Sequence, residues 1–348
     1  MNRLELPNPE MQVSMITQPI PSCQTSHWQK ALQQAIRDPA ELLRRLNLPD
    51  HLLPAARAAA ERFPLRVPLG YVARMQAGDP NDPLLRQVLP LAEELESRPG
   101  FDLDPVGDRA ARRAPALLHK YPGRALLITA GACAGHCRYC FRRHFPYQDN
   151  HDLAAALTQV AADESLSEII LSGGDPLSLS DTRLADLLDQ LEAIPHLRRL
   201  RIHTRHPIFL PERITEELCR RLAASRLPVV VVIHCNHARE IDTHVREGLA
   251  HLRACGAHLF NQAVLLRGVN DSLASLAELG ETLFDAGVIP YYLHQLDRVA
   301  GAAHFEVPDA QALALHEALR NTQPGYLVPR LVRERPGMAA KTPLLLPG

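Results

Sequence analysis

Cysteine is scarce, with seven in 348 residues. A chain this long and this poor in cysteine does not rest on a disulfide framework, which belongs to small secreted domains short of core. Charge of one sign is lacking as well. Lys and Arg number 38 against 39 Asp and Glu, the formal net charge is −1, and the footprint of a nucleic-acid-binding surface is missing. Short basic runs such as Arg198, Arg199 and Arg201 read as a solvated helix end. No apolar run approaches the roughly 18 residues needed to cross a bilayer, so no membrane partner is expected. The opening MNRLELPNPEMQ has no apolar core of the kind a secretory signal carries. A reducing, cytoplasmic location is the expectation. Internal repeats and low-complexity tracts are also missing. What remains, 46% hydrophobic and 22% charged, is ordinary globular composition. It suffices for one large domain with an appendage, or for two domains.

Three of the seven cysteines are bunched. The stretch CAGHCRYCFRRHF at 133–145 sets Cys133, Cys137 and Cys140 at C-x3-C-x2-C spacing, beside several arginines. Thiolates this close can each hold one iron of a [4Fe–4S] cubane, leaving the fourth iron open to a small ligand. The motif follows an apolar, strand-like run at 124–130. Zinc is the competing reading, but it normally takes four protein ligands, often as two C-x2-C pairs, and no second pair exists. Cys23, Cys219, Cys235 and Cys255 are scattered and read as small buried side chains.

The organisation is read from apolar periodicity. Residues 1–24 are rich in proline and polar side chains and read as an irregular arm. Helical spacing runs from 28 to 62, with Asp38 as a cap and Pro39 at a first helical position. A Pro-, Gly- and Asp-rich stretch at 78–107 follows, with a helix expected inside it at 83–94. Residues 1–115 are thus a mainly helical N-terminal region. From 117 the pattern alternates. Strands are expected at 125–129, 168–171, 199–203, 229–234, 259–266 and 289–294. Helices are expected at 153–162, 182–192, 212–224, 240–255, 273–286 and 310–320. Six β/α units in series imply an α/β fold with a parallel sheet and outer helices. Six are too few for a closed eight-stranded barrel. The expected core, 116–325, is a partial (β/α)6 TIM-like barrel. A tail at 326–348 begins with a short extended stretch at 327–332 and carries Lys341.

At the end of the second core strand stands LSGGDP, 171–176. Its two glycines let backbone approach a ligand closely, and Asp175 offers an acceptor to an ammonium. Lys341 taken alone is either a solvated surface lysine or a covalent attachment point for a carbonyl cofactor.

Further stretches carry a resemblance to a known family. They are HKYPGR at 119–124, HCNH at 234–237, NQAVLLRGVND at 261–271, YYLHQLD at 291–297, GAAHF at 301–305 and GYLVP at 325–329. Together with the cysteine motif and SGGD, they make the chain, from about residue 65 to 343, resemble the lysine 2,3-aminomutases of the radical S-adenosylmethionine (SAM) superfamily. The likeness is greatest to the bacterial branch that works with elongation factor P. The wording at 65–90, 124–147, 194–208 and 285–305 is similar to that branch.

The resemblance implies a radical SAM fold and three cofactors. Cys133, Cys137 and Cys140 would hold the [4Fe–4S] cluster. Ser172, Gly173, Gly174 and Asp175 would meet the methionyl amino group of SAM, with His234 and Gln262 also on the SAM side. Lys341 would bind pyridoxal 5′-phosphate (PLP), whose phosphate would face Lys120, Tyr121 and Arg124. Arg142 would take the substrate carboxylate, and Asp297 and Glu334 the ε-ammonium of L-lysine. The implied reaction is isomerisation of (S)-α-lysine to (R)-β-lysine, fed by a reductant of flavodoxin or ferredoxin type. A lysyl-tRNA-synthetase-like ligase would then attach the product to elongation factor P.

Two features depart from the free-lysine enzymes. Glu334 stands where they have aspartate, and PGMAAK at 336–341 replaces a run of glycines and is stiffer. The alternative is a 2,3-aminomutase making a free β-amino acid from lysine or glutamate, although two acidic partners would repel glutamate's distal carboxylate. A catalytically idle scaffold and an RNA-modifying enzyme are further alternatives. The intact cysteines and Lys341 oppose the first, and the missing basic surplus opposes the second.

Overall fold

A computed structural model describes residues 27–149 and 153–344. The expected arm at 1–24, with Cys23, lies outside the described residues, as does the very end of the tail.

The chain folds around one ten-stranded sheet whose strands follow each other in sequence order. They are β1 (Arg112–Ala114), β2 (Leu117–Tyr121), β3 (Arg124–Ala130), β4 (Glu168–Gly173), β5 (Arg199–Thr204), β6 (Val229–Ile233), β7 (His258–Leu265), β8 (Ile289–Gln295), β9 (Arg330–Arg333) and β10 (Thr342–Pro343). From β3 through β9 every pairing is parallel. β1 and β2 extend one side antiparallel to β3, and β10 closes the other side antiparallel to β9. The sheet is open, with β1 and β10 as its edges.

The six expected strands are therefore present as β3 to β8. The extended stretch at 327–332 becomes β9, a seventh parallel strand added by pairing with β8. The reason for the strands is local. β6 reads VVVVI, a β-branched run suited to a sheet buried on both faces.

Helices Leu153–Ala162, Asp181–Glu192, Glu216–Ala223, Thr243–Ala254, Leu273–Asp285 and Asp309–Thr322 alternate with the strands. Four begin on side-chain caps, with Ser180, Thr215, Asp242 and Ser272 accepting from backbone N–H groups in the first turn. In Asp181–Glu192 the buried residues are Leu184, Leu187, Leu188 and Leu191, a stripe at helical spacing that packs on the sheet. Each fully buried leucine contributes about 1.5–3 kcal/mol.

The N-terminal region begins with helices His27–Gln33, Pro39–Arg45 and Leu53–Arg62. Asp38 caps the second, accepting from the Ala40 N–H at 2.9 Å, with Pro39 as the first helical residue. The helix expected at 83–94 does not form. Pro83–Arg86 is a single turn, and a 3-10 turn at Ala92–Leu95 follows. Pro90 explains the break, because it has no N–H to donate and disfavours helical backbone at the residue before it. Trp28, Leu42, Tyr71 and Leu85 of this region share one buried apolar cluster with Leu171, Ile202 and Ile233 of the sheet. Among the described residues no helix is long and apolar enough to cross a membrane.

Candidate active site

Because the core strands are parallel, their carboxyl ends and the loops that leave them gather at one mouth, where ligands of such sheets bind. A cavity of about 340 Å3 opens there. Every site residue read from the sequence lines it.

The cysteine loop leaves β3 directly. It is held from behind by Arg138, fully buried, whose guanidinium forks onto the Glu94 carboxylate at 2.7 and 2.6 Å and donates to the Phe63 carbonyl at 2.8 Å. The Arg143 guanidinium joins the same carboxylate at 2.7 Å. Burial pushes the Cys133 thiol well up, and Asp175, Cys140 and Cys137 add to the effect. Cys140 is pushed up to about 11 by burial and then by Cys137. Cys133 and Cys140, held protonated by burial and by the neighbouring sulfurs, suit a cationic iron centre, which turns such thiols into thiolates. Among the described residues no three His, Cys, Asp or Glu converge on a single ion. A cubane makes no such demand, since its three sulfurs take separate irons. The donor set fits the cluster.

The SGGD turn presses against that loop. Gly173 has φ +117°, and a Cβ on it would meet the Ala130 carbonyl oxygen at 2.8 Å. A Cβ on Gly174 would lie 2.5 Å from the Ala132 oxygen. Backbone bonds seal the contact: Gly174 N–H to Ala130 at 2.7 Å and Asp175 N–H to Ala132 at 2.8 Å. Only glycine permits this approach. The buried Asp175 carboxylate is already engaged. It accepts from the Thr204 hydroxyl at 2.7 Å, the Arg205 N–H at 2.7 Å and the Leu177 N–H at 3.0 Å, and lies 2.9 Å from the His206 ring. Burial works to raise its carboxyl, but His206 and these donors hold it below the usual range. Asp175 thus staples β4 to β5, a use the sequence did not suggest.

A chain of polar and charged groups lines the cavity from Ser172 to Lys341. Arg142 donates to Ser172 Oγ at 3.1 Å and to Asp108 at 2.7 Å. Asp108 also meets Lys120 Nζ at 2.7 Å, and Lys120 lies 3.7 Å from Glu334. Glu334 accepts from the Tyr121 hydroxyl and, at 3.1 Å, from Lys341 Nζ. The Arg124 guanidinium lies over the Tyr121 ring at 4.6 Å, and Lys341 Nζ is 5.5 Å from the Tyr292 ring centre. The β9–β10 register explains the meeting of Glu334 and Lys341. Thr342 pairs with Arg333, so the residues just inside the turn face each other. Burial tends to raise the Glu334 carboxyl, but Lys341, the Tyr121 hydroxyl and Lys120 together outweigh it and hold the group low. Asp108 is likewise held low against its burial by Arg142 and Lys120.

Asp297 behaves differently. Burial pushes its carboxyl up to about 7, Lys341 pulling against that and Glu334 adding to it. His234 is pushed down to about 4 by burial, and its Nε2 accepts from the Gln262 amide at 2.7 Å. Lys120 between two carboxylates, Arg124 over the Tyr121 ring, and Lys341 on the same wall offer cations for a phosphate and an amine for a carbonyl, so the residues present suit PLP as well as the cluster.

Sequence reading passed over Asp108, Tyr139, Arg205, His203 and His294, all on the cavity wall. Tyr139 sits inside the cysteine motif and was within reach. His294 stands within YYLHQLD, and His203 and Arg205 within the stretch at 194–208, so these too lay in quoted wording without being given a role; Asp108 alone stands outside any such stretch.

The Radical SAM superfamily profile matches residues 127–279. An L-lysine 2,3-aminomutase of Escherichia coli is 51% identical over 322 residues, covering 91% of this chain and 94% of the relative. One from Haemophilus influenzae is 45% identical over 320 residues, covering 91% and 95%. More distant is a glutamate 2,3-aminomutase of Clostridioides difficile, 34% identical and covering 79% and 66%. With identity of that order running nearly end to end, over an open parallel sheet that carries three clustered cysteines at its mouth, the chain belongs to the lysine 2,3-aminomutase family of radical SAM isomerases.

Proposed function

We propose that this protein converts (S)-α-lysine to (R)-β-lysine and that the product serves the β-lysylation of elongation factor P. The carrying observation is that Lys341 and the three cysteines open onto one cavity. When bound, the cluster and SAM supply an electron and a hydrogen-abstracting radical, and PLP supplies the carbonyl carbon that carries the migrating nitrogen.

The chain's own residues bind, orient and exclude water. Cys133, Cys137 and Cys140 hold the cluster, and Ser172, Gly173, Gly174, Asp175, His234 and Gln262 border SAM. Lys120, Tyr121 and Arg124 face the phosphate of PLP, and Lys341 anchors it. Arg142, fixed by Asp108 and Ser172, presents a planar fork to the substrate carboxylate. Asp297 and Glu334 take the distal ammonium, whose burial requires such partners. The same two carboxylates oppose glutamate, whose distal charge is negative. The link to elongation factor P, to its ligase and to a flavodoxin- or ferredoxin-type reductant is supported by the branch-like wording at 124–147 and 285–305.

Anaerobic incubation of the reconstituted protein with SAM, PLP, a reductant and a panel of α-amino acids tests the reading. (R)-β-lysine from (S)-α-lysine is expected. Turnover of glutamate in its place would refute the substrate assignment. Co-expression with elongation factor P and the ligase, read by protein mass, tests the downstream use.

A further inference from the structure

Behind the cysteine loop, outside the set of groups assigned above, lies a buried guanidinium with an unusual acceptor. Arg205, 5% exposed, directs Nη1 at the sulfur of Cys137 at 2.8 Å and also at the Tyr139 hydroxyl. Its Nη2 donates to Gln87 Oε1 at 2.6 Å and to Glu240 Oε2 at 2.8 Å. Those anchors are themselves fixed. Glu240 accepts from the Asn236 and His237 N–H groups at 2.9 and 3.0 Å and from the Gln87 amide at 3.1 Å. The Phe209 ring lies 4.5 Å below the guanidinium. Arg205 therefore has one orientation, with one nitrogen on the carboxylate and the other on the sulfur. The cation stands between Glu240 and Cys137.

A hydrogen bond from a cation to a cluster sulfur favours the reduced, more negative form and raises the reduction potential. We propose that Arg205 is a positioning residue that holds Cys137 and sets the potential at which the cluster accepts its electron. This rests on the reading that the three cysteines hold the cluster. The step is a single electron transfer. The flavodoxin- or ferredoxin-type reductant is oxidised and the cluster gains one negative charge, which the Arg205 N–H groups offset. Glu240 keeps the guanidinium aimed.

The test uses the full chain reconstituted anaerobically with iron and sulfide, reading iron per chain and the midpoint potential by redox titration followed by electron paramagnetic resonance. Arg205→Met combined with Glu240→Gln removes donor and counter-charge together, so no buried charge is stranded. It is expected to take up iron at the level of the unmodified protein, with a more negative midpoint. Arg205→Lys keeps the charge but cannot reach sulfur and carboxylate at once, and falls between the two. Glu240→Gln alone removes the counter-charge while Gln87 still holds Nη2 and keeps Arg205 aimed, so its midpoint is unchanged or more positive; a midpoint as negative as that of the double variant would assign the effect to Glu240 and overturn the role of Arg205.

A midpoint for the double variant equal to or more positive than that of the unmodified protein would overturn the proposal. So would loss of iron from both Arg205 variants while circular dichroism shows them folded, since Arg205 would then be structural only. Failure of the unmodified protein to take up a cluster is a different result, and it refutes the cluster reading itself.

Discussion

Asp297 is the carboxyl in the cavity whose charge is balanced near neutrality. Burial lifts it to about 7 although Lys341 pulls the other way. A cation placed beside it favours its ionised form. Lysine binding near pH 7 is therefore expected to release a proton, and to weaken as pH falls below 7. Calorimetry in two buffers of different ionisation enthalpy reads the release as a difference in heat. Equal heats would remove Asp297 from the ammonium pocket. The same shift has a sign for stability. A carboxyl raised in the folded state costs nothing below its unfolded pKa near 4, and the cost grows as pH climbs toward 7. Asp297→Asn should accordingly stabilise the protein above pH 7, on the order of 2 kcal/mol after allowance for solvent in the cavity, while lowering lysine affinity at least tenfold. Denaturant titration at pH 5 and pH 8 checks the first, since the gain should be smaller at pH 5.

At the level of elements, the β4 turn and the β9–β10 ladder place the chemistry. Gly174→Ala would drive a methyl into the Ala132 carbonyl, 2.5 Å away, with backbone on both sides and no flexible side chain to yield. A loss of about 1–3 kcal/mol and a drop in iron uptake are expected, measured by unfolding and iron assay. A variant as stable and as iron-rich as the parent would show that the two loops can part. Lys341→Ala, immediately before β10, should abolish aminomutase turnover and reductive trapping of PLP on the protein, yet leave SAM cleavage. Loss of both activities would put Lys341 in a structural role.

Much of this scale was legible beforehand. Runs such as VVVVI and the cap-plus-stripe pattern of Asp181–Glu192 announce their own structure. The misread helix at 83–94 failed on Pro90 alone. Contacts made by register or by folding over long separations were not legible. Lys341 meets Glu334 only because β10 turns back on β9, and Asp108 reaches Arg142 and Lys120 from a loop with no pattern of its own.

The whole molecule is tied together through the cluster loop. Its outer side is braced by the N-terminal region: His136 N–H donates to the Arg66 carbonyl at 2.9 Å, and Arg138 N–H to the Gln87 carbonyl at 2.9 Å. Beneath them Glu94 receives both Arg138 and Arg143 in a site with almost no exposure. Such a pair adds little net stability against apolar packing, but breaking it leaves an uncompensated buried charge. Glu94→Ala strands two guanidinium groups at once, so a loss of about 3–5 kcal/mol is expected in urea unfolding. Because the strain falls on the loop that carries Cys137 and Cys140, iron uptake should fall in parallel. Glu94→Gln keeps acceptor and shape and should lose less of both. If Glu94→Ala unfolds within about 1 kcal/mol of the parent, the N-terminal region rests on its apolar contacts alone and the brace at the cluster loop is dispensable.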